Sequence, residues 1–121
     1  DIVVSVLPLT PDTTGIINAD FLARMSAGAF VINGGRGPQI VDDDLFAALD
    51  SGHIRGAALD VFAVEPLPQD HRYWTHPSVR VWPHVAAQTN ADTAADQVAA
   101  AIISIMDGQV PANMVDWSRG Y

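Results

Sequence analysis

The stretch Ala29-Phe-Val-Ile-Asn-Gly-Gly-Arg-Gly-Pro38 is an apolar run that ends abruptly in three glycines set around an arginine. Its first four residues, Ala29 to Ile32, have the β-branched and aromatic composition of a strand. The run is continuous rather than alternating, as in a parallel strand covered on both faces. Similar runs recur at Ile2 to Leu7, Ala57 to Val61 and Val79 to Trp82. Between the first two lies Asn18-Ala-Asp-Phe-Leu-Ala-Arg-Met25, with Asn18 placed to cap a helix and Asp20 in its first turn. Between the second and third lies Asp42-Asp-Asp-Leu-Phe-Ala-Ala-Leu49, acidic at its start and stopped by Ser51-Gly52. Strands separated by helical crossovers of this length predict an α/β fold with a parallel sheet and right-handed connections.

The chain changes character after the third strand. Residues Ala63 to Ser78 hold three prolines and the pair Tyr73-Trp74 without helical or strand periodicity, and read as an ordered loop. Asn90 to Asp107 then places Ala91, Ala94, Val98, Ile102 and Ile105 on one helical face, with Gly108 as the stop. Such a helix is about 27 Å long, enough to leave one domain and pack on another. The boundary falls near Ala86, giving one unit over residues 1–85 and a second over 86–121. The tail beyond Gly108 carries Trp117 and Tyr121, which suggest docking on an apolar surface.

Composition narrows the function classes. A chain of 121 residues is one domain in size and 49% hydrophobic. Its net charge of −8 repels nucleic acid and anionic membranes, so an anionic ligand needs a local cationic site. The longest mostly apolar run, Val98 to Met106, is too short to span a bilayer. The absence of cysteine excludes disulfides and thiolate metal sites. The sequence opens without methionine inside a strand-like pattern, as a piece of a longer polypeptide would.

In open α/β sheets ligands bind beyond the carboxyl ends of the strands. There the sequence places Leu7-Pro-Leu-Thr10, Asn33-Gly-Gly-Arg-Gly37, Asp60 followed by Glu65, and Pro83-His84. A guanidinium can hold a carboxylate by two parallel hydrogen bonds. A histidine can pass a proton to a carbonyl oxygen as hydride arrives at its carbon, and a carboxylate beside a histidine favours the imidazolium. Arg36, His84 and Glu65 together suit reduction of a 2-keto acid. Each also has a plainer reading: Arg36 as a solvated loop charge, Glu65 as a surface residue, His84 as a backbone cap. His53 reads as an exposed turn residue, His71 and His76 as loop residues, and Asp42-Asp-Asp44 as a complement to the helix dipole, with no metal site expected. A dinucleotide domain should carry Gly-x-Gly-x-x-Gly after its first strand, and it does not occur here. Gly34, Gly35 and Gly37 run into Pro38-Gln39-Ile40 rather than a helix start, so a dinucleotide domain would be present only in its second half.

Four segments, Leu7-Pro-Leu-Thr-Pro-Asp-Thr13 with Gly15-Ile-Ile-Asn18, Ile32-Asn-Gly-Gly-Arg-Gly37, Leu59-Asp-Val-Phe62 with Glu65-Pro-Leu-Pro68, and Pro83-His-Val-Ala-Ala87, resemble the D-isomer-specific 2-hydroxyacid dehydrogenases in order and spacing. The ending Val115-Asp-Trp-Ser-Arg-Gly-Tyr121 resembles the glyoxylate/hydroxypyruvate reductase subgroup. The resemblance implies the second half of a doubly wound, Rossmann-type sheet and a long helix returning to a substrate domain. It implies NAD or NADP as cofactor, a small 2-keto or 2-hydroxy acid as substrate, and a cytoplasmic homodimer. Arg36 would anchor the substrate carboxylate, His84 would be the general acid/base and Glu65 its partner. Pro8, Leu9 and Thr13 would line the ribose-phosphate side of the cofactor; Asn33, Gly34, Gly35 and Asp60 would lie against its nicotinamide half, with Arg36 and His84 facing the same space. Gly34-Gly35 replaces a common small apolar pair, implying a roomier nicotinamide side, and Trp82 replaces a common threonine, implying a reshaped pocket wall. The competing reading is a non-catalytic, nucleotide-sensing or corepressor-like module on the same scaffold.

Overall fold

A computed structural model of the protein describes residues 1–118. Four parallel strands, β1 (Ile2–Ser5), β2 (Ala29–Asn33), β3 (Ile54–Leu59) and β4 (Val79–Val81), form one sheet in the order β1-β2-β3-β4. Helix α1 (Ala19–Ala23) joins the first two strands and α2 (Asp42–Asp50) the second and third. Helix α3 (Ala91–Met106) follows the sheet. Residues 1–86 form one compact unit and the chain from Ala87 a second.

Strands β1 and β2 alternate in burial, contrary to the expectation of continuous cover. In β2, Ala29, Val31 and Asn33 are buried whereas Phe30 is exposed, and in β1 both Ile2 and Val4 are exposed. The buried face gathers Leu22 of α1 and Leu45, Phe46 and Leu49 of α2 around Val31, Ile54, Ala57 and Leu59. Apolar residues on the other face give the sequence its continuous look, since composition records what a residue is and not which side it occupies.

Local chemistry sets the ends of the elements. Asn18 Oδ1 accepts the Phe21 N–H at 3.1 Å as the expected cap of α1. Asp44 of α2 accepts the Ala19 N–H at 2.8 Å, so the acidic start of one helix also caps the other. Strand β3 begins three residues before the expected Ala57, because Arg55 and Gly56 hide it. A Cβ on Gly56 would meet the Phe30 ring at 3.1 Å, a close approach that explains a glycine inside a strand. Strand β1 ends at Ser5 rather than Leu7, and Leu7 instead turns its carbonyl toward Gln39.

The loop of residues 63–78 is ordered, with one 3-10 turn at Arg72–Trp74 that no periodicity announces. It is fastened to α2 by side chains. The buried Tyr73 donates its hydroxyl to Asp42 at 2.8 Å, and His71 lies 3.5 Å from the same carboxylate. Burial, with Asp42 alongside, pushes the Tyr73 phenol far above its ordinary range. Arg72 meets both oxygens of Asp50 at 2.7 Å and His76 meets one at 3.2 Å, and these partners hold the Asp50 carboxyl below its ordinary range. His76 is therefore a packed residue, its side chain only 7% exposed. His53, expected to be exposed, is half-buried and hydrogen-bonds the Leu22 carbonyl at 3.0 Å.

Helix α3 has the expected bounds, with Asn90 accepting the N–H groups of Asp92 and Thr93. It buries no residue: Val98, Ile102 and Ile105 are exposed, and Ala94, Ala101 and Ser104 are the partly shielded ones. Trp117 is 91% exposed, and Tyr121 lies outside the described residues.

Gly37 packs its backbone on that of Phe62, where an added Cβ would stand 1.8 Å from a carbonyl carbon. Gly37→Ala is expected to destabilise the first unit by about 2 to 3 kcal/mol, the cost of overpacking where neither backbone yields easily. A urea midpoint equal to that of the parent would show that the contact can relax.

Candidate active site

The strand register aligns the ends that matter. Ser5 pairs with Asn33, Asn33 with Leu59, and Leu59 with Val81, so the four positions form one row across the sheet. The ladder continues one step beyond each strand: Gly34 N–H to Ser5 O at 3.0 Å, Asp60 N–H to Asn33 O at 3.0 Å, and Trp82 N–H to Leu59 O at 2.9 Å. The segments bearing Arg36, Asp60 and His84 therefore leave the sheet at one edge. Two strand spacings, about 10 Å, separate the departure points of Arg36 and His84.

His84 sits in a left-handed backbone conformation, φ 56°. For a residue with a Cβ this costs about 1 to 2 kcal/mol. Asp60 offsets it with three bonds: its carbonyl accepts the His84 N–H at 2.8 Å, and its two carboxylate oxygens accept the N–H groups of Val85 and Ala86, each at 2.8 Å. The buried Asp60 carboxylate thus holds the turn that aims the imidazole.

Glu65 Oε2 meets His84 Nδ1 at 2.9 Å while Oε1 accepts the Phe62 N–H at 2.9 Å. With Glu65 ionised, Nδ1 is the donor of this bond. The hydrogen bond from His84, then that from Phe62, hold the Glu65 carboxyl below its ordinary range. His84 Nε2 has no hydrogen-bond partner among the described residues, so the ring offers one tethered nitrogen and one free nitrogen. A cleft of about 430 Å³ opens beside the pair, its walls formed by Phe62, Leu67, Trp74 and Trp82.

Arg36 leaves a turn built by Asn33, which is fully buried. Asn33 Oδ1 accepts the Gly35 N–H and its Nδ2 donates to the Arg36 carbonyl, both at 3.0 Å. Arg36 is exposed and donates Nη1 to the Gly35 carbonyl at 2.8 Å. It forms no salt bridge among the described residues, leaving most of its donors free. Residues Gly37–Gln39 form a single 3-10 turn.

On the β1 side, Thr13 donates its hydroxyl to Pro8 O at 2.8 Å and accepts the Thr10 N–H at 2.8 Å, closing the loop that carries Pro8 and Leu9. Leu7 and Leu9 are exposed on it. Gln39 ties this loop to the Arg36 turn, a link the sequence did not reveal. A lone glutamine between Pro38 and Ile40 belongs to no motif. Its one trace is Gly35, where an added Cβ would come within 2.5 Å of Gln39 Oε1. Gly34 is less confined, the nearest atom to its would-be Cβ being Ala86 Cβ at 3.6 Å.

Comparison with known proteins gives this geometry a lineage. Residues 1–86 match the D-isomer specific 2-hydroxyacid dehydrogenase, NAD binding domain. The chain belongs to that family. It is similar to glyoxylate/hydroxypyruvate reductase A of Serratia proteamaculans (strain 568), 47% identical over 120 residues, a span of 99% of this chain and 38% of that protein. The chain thus spans well under half the length of this curated relative. Among solved structures it resembles a D-isomer specific 2-hydroxyacid dehydrogenase from Xanthobacter autotrophicus Py2 in complex with NADPH and MES, with a TM-score of 0.94 and 48% identity over 99% of this chain and 50% of that one. It also resembles the NADPH-dependent glyoxylate/hydroxypyruvate reductase of Sinorhizobium meliloti in complex with NADP and sulfate, with a TM-score of 0.91 and 41% identity over all of this chain and 40% of that one.

The Glu65 titration can be followed by the NMR signal of its carboxyl carbon. Its midpoint should lie below the ordinary glutamate value of 4.5 and rise in His84→Gln. Because the folded pKa is lowered, the stabilisation from this pair is present above the unfolded value and lost as pH falls through the folded one. An unchanged midpoint in the variant would show that His84 is not the main cause.

Proposed function

We propose that the full-length protein containing these residues reduces a short 2-keto acid, such as glyoxylate or hydroxypyruvate, to the corresponding 2-hydroxy acid with NADH or NADPH. The observation that carries this reading is the His84–Glu65 pair, with one imidazole nitrogen free, at the same sheet edge as the exposed and unpaired Arg36.

The residues fit a dinucleotide at that edge. Leu7 and Leu9 are apolar side chains exposed at 44% and 39% beside the end of β1, which suits cover by a ligand rather than by water. Pro8, Leu9 and Thr13 would hold its ribose-phosphate side, and Asn33, Gly34, Gly35 and Asp60 its nicotinamide side. When bound, the cofactor supplies the hydride. Arg36 holds the substrate carboxylate through its free donors and so fixes the adjacent carbonyl. His84 Nε2–H donates its proton to the carbonyl oxygen, and Glu65 holds the ring by Nδ1–H and stabilises its charged form. In the reverse direction the neutral ring takes the hydroxyl proton back.

The same reading assigns residues 86–121 to a substrate domain and makes the protein a cytoplasmic homodimer. A non-catalytic sensing module finds no support in the relatives, which carry reductase and dehydrogenase names. A sensor also has no evident need for a proton donor beside its anion site.

The test is oxidation of NADPH and NADH by the full-length protein with glyoxylate or hydroxypyruvate. His84→Asn should lower kcat by about 10² to 10⁴ fold, the usual range for a lost general acid. Arg36→Met should act mainly on the KM of the keto acid, by about 10 to 100 fold for one or two charge-assisted bonds. Near-normal turnover by His84→Asn would overturn the mechanism.

A further inference from the structure

Gln39 is fully buried and its amide is saturated. Oε1 accepts the Ser5 hydroxyl at 2.9 Å and the Arg36 N–H at 3.1 Å; Nε2 donates to the carbonyls of Leu7 at 2.9 Å and Pro8 at 3.2 Å. A carboxamide has two donor hydrogens and two acceptor lone pairs, and all four are used. The amide cannot be reversed, because the Leu7 and Pro8 carbonyls only accept and the Arg36 N–H only donates. One side chain therefore joins the loop beyond β1 to the backbone of the arginine beyond β2, across more than thirty residues of sequence.

No other side chain among the described residues makes this double connection. Asn33 shapes the Arg36 turn from within, and Thr13 closes the β1 loop from within. Gln39 alone bonds to both. Gly35 allows it, since a Cβ there would fall 2.5 Å from Oε1 and 3.0 Å from the Leu7 carbonyl oxygen.

We infer that Gln39 is a positioning residue that sets the Arg36 guanidinium relative to the cofactor-side loop. It touches neither substrate nor cofactor and acts through the Arg36 N–H and the Leu7 and Pro8 carbonyls. The inference rests on the reading of Arg36 as the carboxylate anchor. Misplacing a substrate-orienting group by about 1 Å can cost 10²-fold in rate. A clamp that bonds both sides governs that distance directly.

Two substitutions in the full-length protein test it. Gln39→Met keeps length and burial but removes all four bonds, and is expected to lower kcat/KM for glyoxylate by about 10 to 100 fold. The effect should be larger on the KM of glyoxylate than on that of NADPH, a split that general loosening of the fold would not produce. Gln39→Glu gives a pH readout. As a carboxylate it repels the Leu7 and Pro8 carbonyls; once protonated it can donate to one of them while accepting from Ser5 and Arg36. Burial raises the pKa of such an acid. Its kcat/KM, divided by that of the parent at each pH, should therefore climb as pH falls from about 8 to about 5.5, and the division removes the titration of His84 and every other shared group. The groups facing residue 39 are a hydroxyl, an N–H and two carbonyls, none of which titrates in that interval.

A flat ratio, or Gln39→Met matching a parent that turns over glyoxylate, overturns the positioning role and leaves the proposed function standing. A parent without turnover overturns both. If Gln39→Met does not fold, the ratio for Gln39→Glu decides. If neither variant folds at any pH, Gln39 serves the fold alone and the inference fails.

Discussion

Parallel pairing obliges every strand of this sheet to finish on the same side, and the register obliges them to finish level. Ser5, Asn33, Leu59 and Val81 share one row, and the interstrand bonds run one residue past it. The guanidinium, the turn-holding carboxylate and the imidazole are close in space for that reason, although they are far apart in sequence. A slip of one residue in any strand would turn its side chains over and carry its functional loop off the row. The packing of the buried β2 and β3 residues against α1 and α2 makes such a slip expensive, so core packing and site geometry are fixed by the same contacts.

Under the exposed functional groups lies a layer of polar residues that never face solvent. Asn33 builds the Arg36 turn, Asp60 holds the left-handed His84, and Gln39 binds two loops together. Each would be costly to bury unpaired, and each is paired, chiefly to backbone. Backbone partners make the arrangement tolerant of changes in surrounding side chains and intolerant of changes in the three themselves. The exposed pair, Glu65 and His84, depends on this layer for its aim and on one loop for its approach.

What the sequence made legible was what repeats or what belongs to a local motif. The α/β alternation, the Asn18 cap and the extent of α3 all follow from short-range chemistry. So do the candidate residues themselves, since Arg36 and His84 lie just three residues beyond strand ends and Glu65 belongs to a recognisable motif. The misses have a common cause in partners distant along the chain. Strand β3 was read late because Gly56 makes sense only against the Phe30 ring. His71 and His76 lie in the loop as expected, but their partners Asp42 and Asp50 sit on a helix well before them and could not be foreseen. The exposed face of the sheet was invisible for the opposite reason, as its residues are apolar and nothing local distinguishes them from core.

The strand order carries one more consequence, for the order in which the protein can be built. Each strand pairs with the one made just before it, so a chain emerging from its N-terminus always finds its next partner already in place. The Arg36 turn can form once β2 lies on β1, and the Glu65 loop leaves the end of β3. β4 comes last, and with it His84. A growing chain therefore forms the Arg36 turn before the His84 turn, and the two stand at one sheet edge only once β4 has paired with β3.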